Sequence, residues 1–579
     1  MNPRQRLLLF VLLLLACPLA WGLARDLEPP SRDEDFLPAD TLLFLHWNGL
    51  DRFAAPLAAS PLARTLGRPD FPDTLRQTGL EETTVLRFVR RLELFRRLTD
   101  WLAAQPRAPE LFQGQGMMAL LPQRIDENSS GGPADLLEAF RNNMVLLLPD
   151  TVADTPAQLP EIGALRSSRD HLGVRINEYQ ANGKPSLYLC RTRGLILIAF
   201  VQETLVHCLE QAVFRLLESP DSTGGFRGKD RLRPERPGEF FFRADIQALR
   251  AQPQWNLLLA PILKSSTPRQ ATVTHRVQGQ ERELDLHVSF TEGELDRWRK
   301  RHGLALPARP PLSASQDEAN LFHLWTNWYT PAVGDSIAEA VSATELGAPL
   351  WAATRNFLER LTFTQAEFYR HFAPELGLVI RGGRNVQGQL KPLFALYFRS
   401  LDEPRVQATL KRLFRTFPLQ HVKLDQGSEA TAIGMAGGMV QPAVAHMQGH
   451  LVLADNLHMA QRMEEHLFAG GRECVTPDLH KTGQEEFPVS FSLYLKNREV
   501  AASLSWLLRY LASAKNERGV ALLGNQQKVF VHQLALPFME SVGAVDTSRL
   551  SFAVSGDEAR AVLESSLDKA TGTKQEHRR

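Results

Sequence analysis

The chain has 579 residues, with 66 Lys and Arg set against 65 Asp and Glu, and these charges are interspersed rather than gathered into tails. That balance removes the electrostatic footprint of a nucleic-acid binder. A hydrophobic content of 44% suffices for more than one core, and four cysteines are too few for a disulfide scaffold in so long a chain.

The first residues read as an export signal. Arg4 and Arg6 precede an apolar run from Leu7 to Ala16, followed by the helix-breaking Pro18 and the small-residue pattern Ala20, Trp21, Gly22. Cleavage after Gly22 or Ala24 leaves small residues at the two recognition positions. Two other readings stay open. Leu7 to Ala24 is just long enough for an uncleaved single-pass anchor, and Leu14 to Cys17 is a poor form of a lipoprotein box. The chain is therefore expected in the periplasm or cell envelope, with membrane contact confined to the N-terminal segment.

Residues 25–36 are charged, contain Pro29 and Pro30, and read as a tether. Folding is expected to begin at Leu37. A Pro-rich stretch over 301–317, with Pro307, Pro310 and Pro311, is the best domain boundary, and 566–579 is a polar tail. On either side of the boundary, segments match in the same order. Leu43 to Asn48 resembles Leu321 to Thr326, Arg97 to Thr99 resembles Arg360 to Thr362, and Pro109 to Leu111 resembles Pro374 to Leu376. Further on, Leu187 to Arg191, Gly194, Leu195 to Ile198 and a helix from Glu203 match Val444 to Met447, Gly449, His450 to Leu453 and a helix from Leu457. This is strand, tight turn, strand, helix, and the turn needs a residue tolerant of positive φ, which Gly194 and Gly449 supply. Near the two ends, Leu284 to Ser289 and Leu550 to Ser555 alternate like half-buried strands.

These readings give an α+β fold of two tandem pseudo-repeats, 37–300 and 318–565. Each is expected to be an antiparallel sheet with helices packed on one face, related by an axis near Pro307 to Pro311. The opening Leu37, Pro38, Ala39, Asp40, Thr41 with the later Ser60, Pro61, Leu62 resembles the bacterial family called domain of unknown function 3352, and the hairpin and helix built on Gly194 are similar to its recurrent core motif. The second half has Glu318, Ala319, Asn320 in place of that opening. The resemblance implies an exported protein and leaves its activity blank.

No catalytic residue, cofactor site or metal site is expected. His-Glu-x-x-His, Gly-x-Ser-x-Gly and P-loop patterns do not occur in the sequence. His446, His450 and His458 with Asp455 cluster near the second hairpin, yet a turn at Gly449 puts the first two on opposite strands. Gly434 to Met439 reads as a flexible loop rather than a phosphate cradle. Trp325, Trp328, Tyr329, Trp351 and Trp506 are taken as a candidate groove between the halves, lined also by an amphipathic helix over Leu504 to Leu511. Its occupant would be an envelope protein or a small apolar ligand. Of the cysteines, Cys190 and Cys208 should be close in space, with a bridge between them open. The expected function is a noncatalytic binding or assembly component of the envelope. The alternative is an extracytoplasmic, hydrolase-like enzyme with a loop-built site.

Overall fold

The computed structural model describes residues 36–78, 113–122, 136–149, 163–180, 186–217, 234–252, 268–311, 320–342, 365–382, 393–434, 441–470, 489–514 and 521–566, apart from isolated positions, with a few more in 82–89. The signal segment, most of the tether, the tail beyond Ser566, Trp351, Cys474 and the Met435 to Met439 loop lie outside these residues, as do three of the matched segments, Arg97 to Thr99, Pro109 to Leu111 and Arg360 to Thr362.

The first half opens with β1 (Leu43–Asn48), α1 (Leu50–Ala58), α2 (Pro61–Leu66), α3 (Phe71–Gln77), β2 (Gln115–Leu120), α4 (Leu136–Asn143) and β3 (Met144–Pro149). It continues through β4 (Ala164–His171), β5 (Val174–Gln180), β6 (Leu187–Thr192), β7 (Leu195–Ala199) and α5 (Gln202–Leu217). It ends with β8 (Glu239–Asp245), α6 (Ile246–Ala251), β9 (Pro268–Gln278), β10 (Glu281–Phe290) and α7 (Glu294–Arg301). The second half runs β11 (Asn320–Thr326), α8 (Pro331–Ser342), α9 (Gln365–His371), β12 (Phe372–Arg381), β13 (Leu393–Ser400) and α10 (Glu403–Leu413). Then come β14 (Leu419–Lys423), β15 (Glu429–Ile433), β16 (Ala443–Met447), β17 (His450–Ala454), α11 (Leu457–Gly470) and β18 (Phe491–Lys496). A helical block follows, made of α12 (Asn497–Ser513), α13 (Asn525–Phe530), a π-helical turn (Val531–Ala535) and α14 (Leu536–Val542), before β19 (Thr547–Ser555) and β20 (Glu558–Ser566).

The expectation of two repeats, each with a separate sheet and its own helices, does not hold. The 20 strands among the described residues form one continuous antiparallel sheet, which dominates the described structure. Followed through the ladders, its order is β4, β5, β6, β7, β3, β2, β1, β8, β9, β10, then β20, β19, β18, β11, β12, β13, β17, β16, β15, β14. The physical reason is that β10 and β20 would each be an unpaired edge; pairing from Glu281↔Ser566 to Ser289↔Glu558 satisfies both. What recurs is strand order within that one sheet, read outward in both directions from the β10–β20 seam. The turn glycines Gly279 and Gly556, both at positive φ, are equivalent, and counting equally far along the strands that follow them the ladder matches itself at Asp285↔Val562. The pseudo-twofold axis therefore lies at that pair, not at Pro307 to Pro311.

Two of the sequence matches need correction. Gly194 and Gly449 (φ 77° and 74°) do occupy the same turn, β6–β7 and β16–β17. From Gly194, three residues lead to Leu197, which pairs with Leu147, then Met117, then His46. From Gly449 the same path runs through Val452, Tyr397, Gly377 and Trp325. So Trp325 stands where His46 does, and aligning it with Trp47 is a one-residue slip that sends the two indoles to opposite faces. Likewise Leu284 to Ser289 belongs to β10, whose counterpart is β20, whereas Leu550 to Ser555 is β19.

Helices α5 and α11 cover corresponding parts of one face. Leu205, Cys208, Leu209 and Ala212 pack on Met117, Val145, Leu197 and Ala199. Met459, Ala460 and Met463 pack on Ala395, Tyr397, Ala445 and Val452. On the other face a cluster from Trp47, Phe240, Phe242 and Val273 runs through Val288 to Val554 and Ala559, so the core crosses the seam. Among the described residues this cluster is continuous from one half to the other.

The seam's polar face is held by Arg560, which donates to both oxygens of Asp285 at 3.0 and 2.7 Å. Beside that pair, Glu283 and Glu564 sit directly across from each other. Burial raises both carboxyl groups above the ordinary range, with Arg276 and Arg549 only partly opposing it. An acid raised in this way adds stability when protonated at low pH and loses it as pH rises through the folded value. Replacing Glu564 with Gln should therefore stabilise the fold near neutral pH, by up to about 1 kcal/mol. The gain should vanish in urea melts run below the ordinary carboxylate range.

Candidate functional site

The five candidate groove residues are not brought together. Trp325 is fully buried (0% exposed) and belongs to the α11 side of the core. Trp328 lies on the opposite face, edge-on to Trp298 and Phe552, with its indole N–H donating to the Ala305 carbonyl at 3.2 Å. Tyr329 packs against Phe368 and Tyr369 of α9, and burial pushes its hydroxyl up to about 12. Trp351 is outside the described residues, and Trp506 faces solvent at 60% exposure.

The histidines near the second hairpin also separate. Nδ1 of His446 meets Glu403 at 2.9 Å and its Nε2 meets the Ser400 hydroxyl at 2.9 Å, while burial lowers its titration against the opposing pull of Glu403. His458 is exposed on α11. Among the described residues no group of three or more His, Cys, Asp or Glu could hold a metal ion. Cys190 on β6 and Cys208 on α5 share one apolar cluster as free thiols, so no bridge joins them. Burial pushes Cys190 up to about 12 and raises Cys208 as well. Both should resist iodoacetamide in the native protein at neutral pH and be alkylated only after denaturation, as peptide mass spectrometry would show.

His450 leads instead to a buried ionic network that the sequence did not show. Glu375, 8% exposed, accepts from the Trp325 indole N–H at 3.1 Å and faces His450 Nε2 at 3.3 Å, with Arg399 at 3.7 Å. The other nitrogen of His450 faces the Gln448 carbonyl at 3.0 Å, so both ring nitrogens address acceptors. One row along, His323 Nε2 meets the Tyr397 hydroxyl at 3.0 Å. Burial alone would raise Glu375, but the hydrogen bonds from His450 and Trp325 outweigh it and hold the carboxyl below its ordinary range. By the same equivalence that matches Gly194 to Gly449, the counterpart of His450 is Leu195, and that of Tyr397 is Leu147. The ionic cluster thus belongs to the second half alone. With His450 and Glu375 side chains each 11% exposed, it is a structural lock more than a place for substrate.

The surface that stands out is the helical block between β18 and β19. In α12 the buried positions are Asn497, Ala501, Ser505 and Ala512, all small or polar, while Leu504, Trp506, Leu507 and Tyr510 point outward. Small residues inside let the neighbours come close, as the nearness of Ala501 to Gly543 shows. Leu508 and Leu511 pack inward beside Ala512, so the helix carries apolar side chains on both its packed and its exposed side. Trp506 and Tyr510 stack on each other, ring centroids 5.6 Å apart and 10° from parallel, at 60% and 54% exposure. Phe530 on α13 and Phe538 on α14 are exposed as well.

This block also ties the halves together. The Leu62 N–H of α2 donates to Ser541 of α14 at 2.9 Å, and Arg68 donates to Gln533 at 3.0 Å. Leu534 packs on Phe71 and Leu75 of α3. Pro537 has no N–H to return to the Gln533 carbonyl, and the backbone widens into the π turn just before it. Between α3 and this turn lies an open cleft of about 530 Å³, lined by Arg68, Asp70, Asp73, Lys528, His532 and Gln533 among others. It holds charges of both signs. The groups that burial perturbs most, including His275, lowered to about 4, are packed elsewhere in the core.

No family model, no curated protein and no solved structure matches the chain. Among the described residues no helix is long and apolar enough to cross a membrane.

Proposed function

We propose that this chain is a noncatalytic binding or assembly component of the cell envelope, exported through its N-terminal segment, and that the outward face of α12 to α14 is where it docks. One observation carries the reading. Of fourteen large apolar side chains exposed among the described residues, six (Leu504, Trp506, Leu507, Tyr510, Phe530 and Phe538) fall in this block. Concentrated exposed apolar surface marks an interaction site, whereas scattered single residues do not. The lack of overlap between the open cleft and the strongly perturbed titratable groups supports a binding role over catalysis. The resemblance of the opening residues to an exported family supports the location.

A photo-crosslinking residue placed at Ser503, in the middle of the outward face, tests it in cells. An adduct should form there and not at Ser168 on the exposed strand β4. The alternative, an extracytoplasmic enzyme, would use the cleft into which the π turn brings His532. Turnover of an ester, peptide or glycoside substrate that is lost in His532→Ala would overturn the noncatalytic reading.

A further inference from the structure

We propose that Ser400 is an activated nucleophile that takes an acyl group from an activated ester or thioester and holds it as a serine ester, with His446 as its base and Glu403 positioning that base. The site is built from other elements than the docking face, at the corner where β13 ends and α10 begins.

Ser400 is the last residue of β13, and Glu403 is the first of α10 after the N-cap Asp402. A sharp strand-to-helix corner thus sets a hydroxyl and a carboxylate three residues apart, and His446 reaches both from β16. The corner is fixed against the β16–β17 hairpin, because the Ser400 N–H donates to the Gly449 carbonyl at 2.8 Å. One carboxylate oxygen of Glu403 lies 2.9 Å from His446 Nδ1 and also accepts from the Gln407 amide at 3.2 Å. A carboxylate only accepts, so it places the ring proton on Nδ1 and leaves Nε2 bare, facing the Ser400 hydroxyl at 2.9 Å. Nucleophile on base, and base on an orienting carboxylate, is the geometry that activates a serine whatever the order of the residues in the chain. Burial lowers the titration of His446; Glu403 opposes this and His450 on β17 adds to it, so the ring is neutral and able to take a proton near pH 7. The shared fold does not demand these residues. Counting back three positions from the equivalent turn glycines puts Arg191 where His446 stands, and arginine cannot act as a base.

The surroundings suit an acyl donor. Ser400 is half-buried, Glu403 is exposed, and Leu401 beside them is 62% exposed, which gives an acyl chain open access and an apolar contact. Ser400 Oγ bonds to the carbonyl carbon as its proton passes to His446 Nε2. The bond from that carbon to the donor's oxygen or sulfur then breaks, and the proton leaves on the departing alcohol or thiol. Activated donors fit a site this open, where water screens the developing oxyanion and the leaving group must carry more of the reaction. One acyl group held per chain is capture rather than turnover, in keeping with a binding component.

The test is labelling of the full-length protein with a fluorophosphonate, whose phosphorus bonds to the serine as fluoride leaves. Peptide mass spectrometry should place the label at Ser400, and p-nitrophenyl butyrate should release a burst of p-nitrophenol stoichiometric with the chain. Ser400→Ala should remove both signals, and His446→Gln should slow labelling about a hundredfold. Glu403 is exposed, so Glu403→Gln should keep the melting temperature while labelling slows about tenfold or more. Its half-maximal pH should also fall, because the carboxylate that raises His446 is gone, a change that a mere capping contact would not produce. Absence of label at Ser400, or label there that neither pH nor the His446 and Glu403 variants alter, overturns the proposal. Steady release of p-nitrophenol abolished by Ser400→Ala would support the nucleophile and overturn the noncatalytic reading. A crosslinked adduct at Ser503 with no label at Ser400 would overturn the nucleophile and leave the docking reading intact.

Discussion

Gly377→Ala should destabilise the protein by about 3 kcal/mol, at the upper end of what overpacking costs, although alanine is the smallest change available. Gly377 on β12 lies between Trp325 and Tyr397 in the ladder, and an added Cβ would fall inside the Tyr397 ring. That ring cannot swing clear. Tyr397 is fully buried among Val379, Ala395 and Val452, and its hydroxyl is fixed on His323. The first half solves the same space differently, since the equivalent row His46, Met117, Leu147, Leu197 puts a side chain where Gly377 has none. The glycine and the tyrosine are thus one packing unit, an aromatic ring laid across a bare strand. Urea unfolding of Gly377→Ala, Tyr397→Leu and the double variant measures it. The double variant should recover part of the loss, because leucine vacates the volume the new methyl needs. A single-variant cost under about 1 kcal/mol would mean that the ring has somewhere else to go.

The uneven legibility of this fold has a physical pattern. Features set by local geometry were readable: the hairpin turns need positive φ at Gly194 and Gly449, and the helices after them bury residues at helical spacing. Features set by distant pairing were not. Nothing near Glu281 or Ser566 announces that they are partners, and without that ladder the chain reads as two sheets. Register failed for a related reason. Strands β1 and β11 are covered on both faces, so apolar residues follow one another and alternation no longer tells one face from the other. Aligning two tryptophans was then the tempting choice, and it was one residue off.

The sequence reading placed the apolar stripe over Leu504 to Leu511 in a groove between the halves, whereas Leu504, Trp506, Leu507 and Tyr510 are exposed to solvent. In α12 the fully buried positions are Asn497, Ala501, Ser505 and Ala512, which carry almost no hydrophobic signal, with Leu508 and Leu511 packed beside them. The spacing of small residues alone could have flagged a close helix contact. Glu375 was hidden differently. Its neighbours Pro374 and Leu376 made it look like a repeat marker, while its partners Trp325 and His450 are 50 and 75 residues away. No short motif reports a network spread over four strands.

That network gives the second large effect. Glu375→Ala should cost about 3 to 5 kcal/mol, the range for removing one partner of a buried ion pair. Alanine leaves the His450 Nε2 and the Trp325 indole N–H facing an empty site, in surroundings where water cannot replace the lost acceptor. Glu375→Gln should cost less, since the amide keeps one oxygen to accept from Trp325 or His450 but carries no charge to offset Arg399. The pH dependence separates charge from shape. The carboxyl is held below its ordinary value of 4.5 in the fold, so its contribution is complete above the unfolded value and is lost as pH falls through the folded one. The advantage of the parent over Glu375→Gln should therefore shrink as pH falls below the ordinary carboxylate range. Arg399→Ala should have a small effect, because that side chain is 64% exposed and its contact is 3.7 Å long. Because Leu195 occupies the His450 position in the first half, the opposite experiment is available as well. Glu375→Leu with His450→Leu should recover part of the stability lost in Glu375→Ala, since an apolar pair replaces buried charge, although the Trp325 indole N–H stays without its acceptor. If that double variant were as unstable as Glu375→Ala, the network would be holding the register of β12 against β13 and β17 rather than only satisfying its own charges.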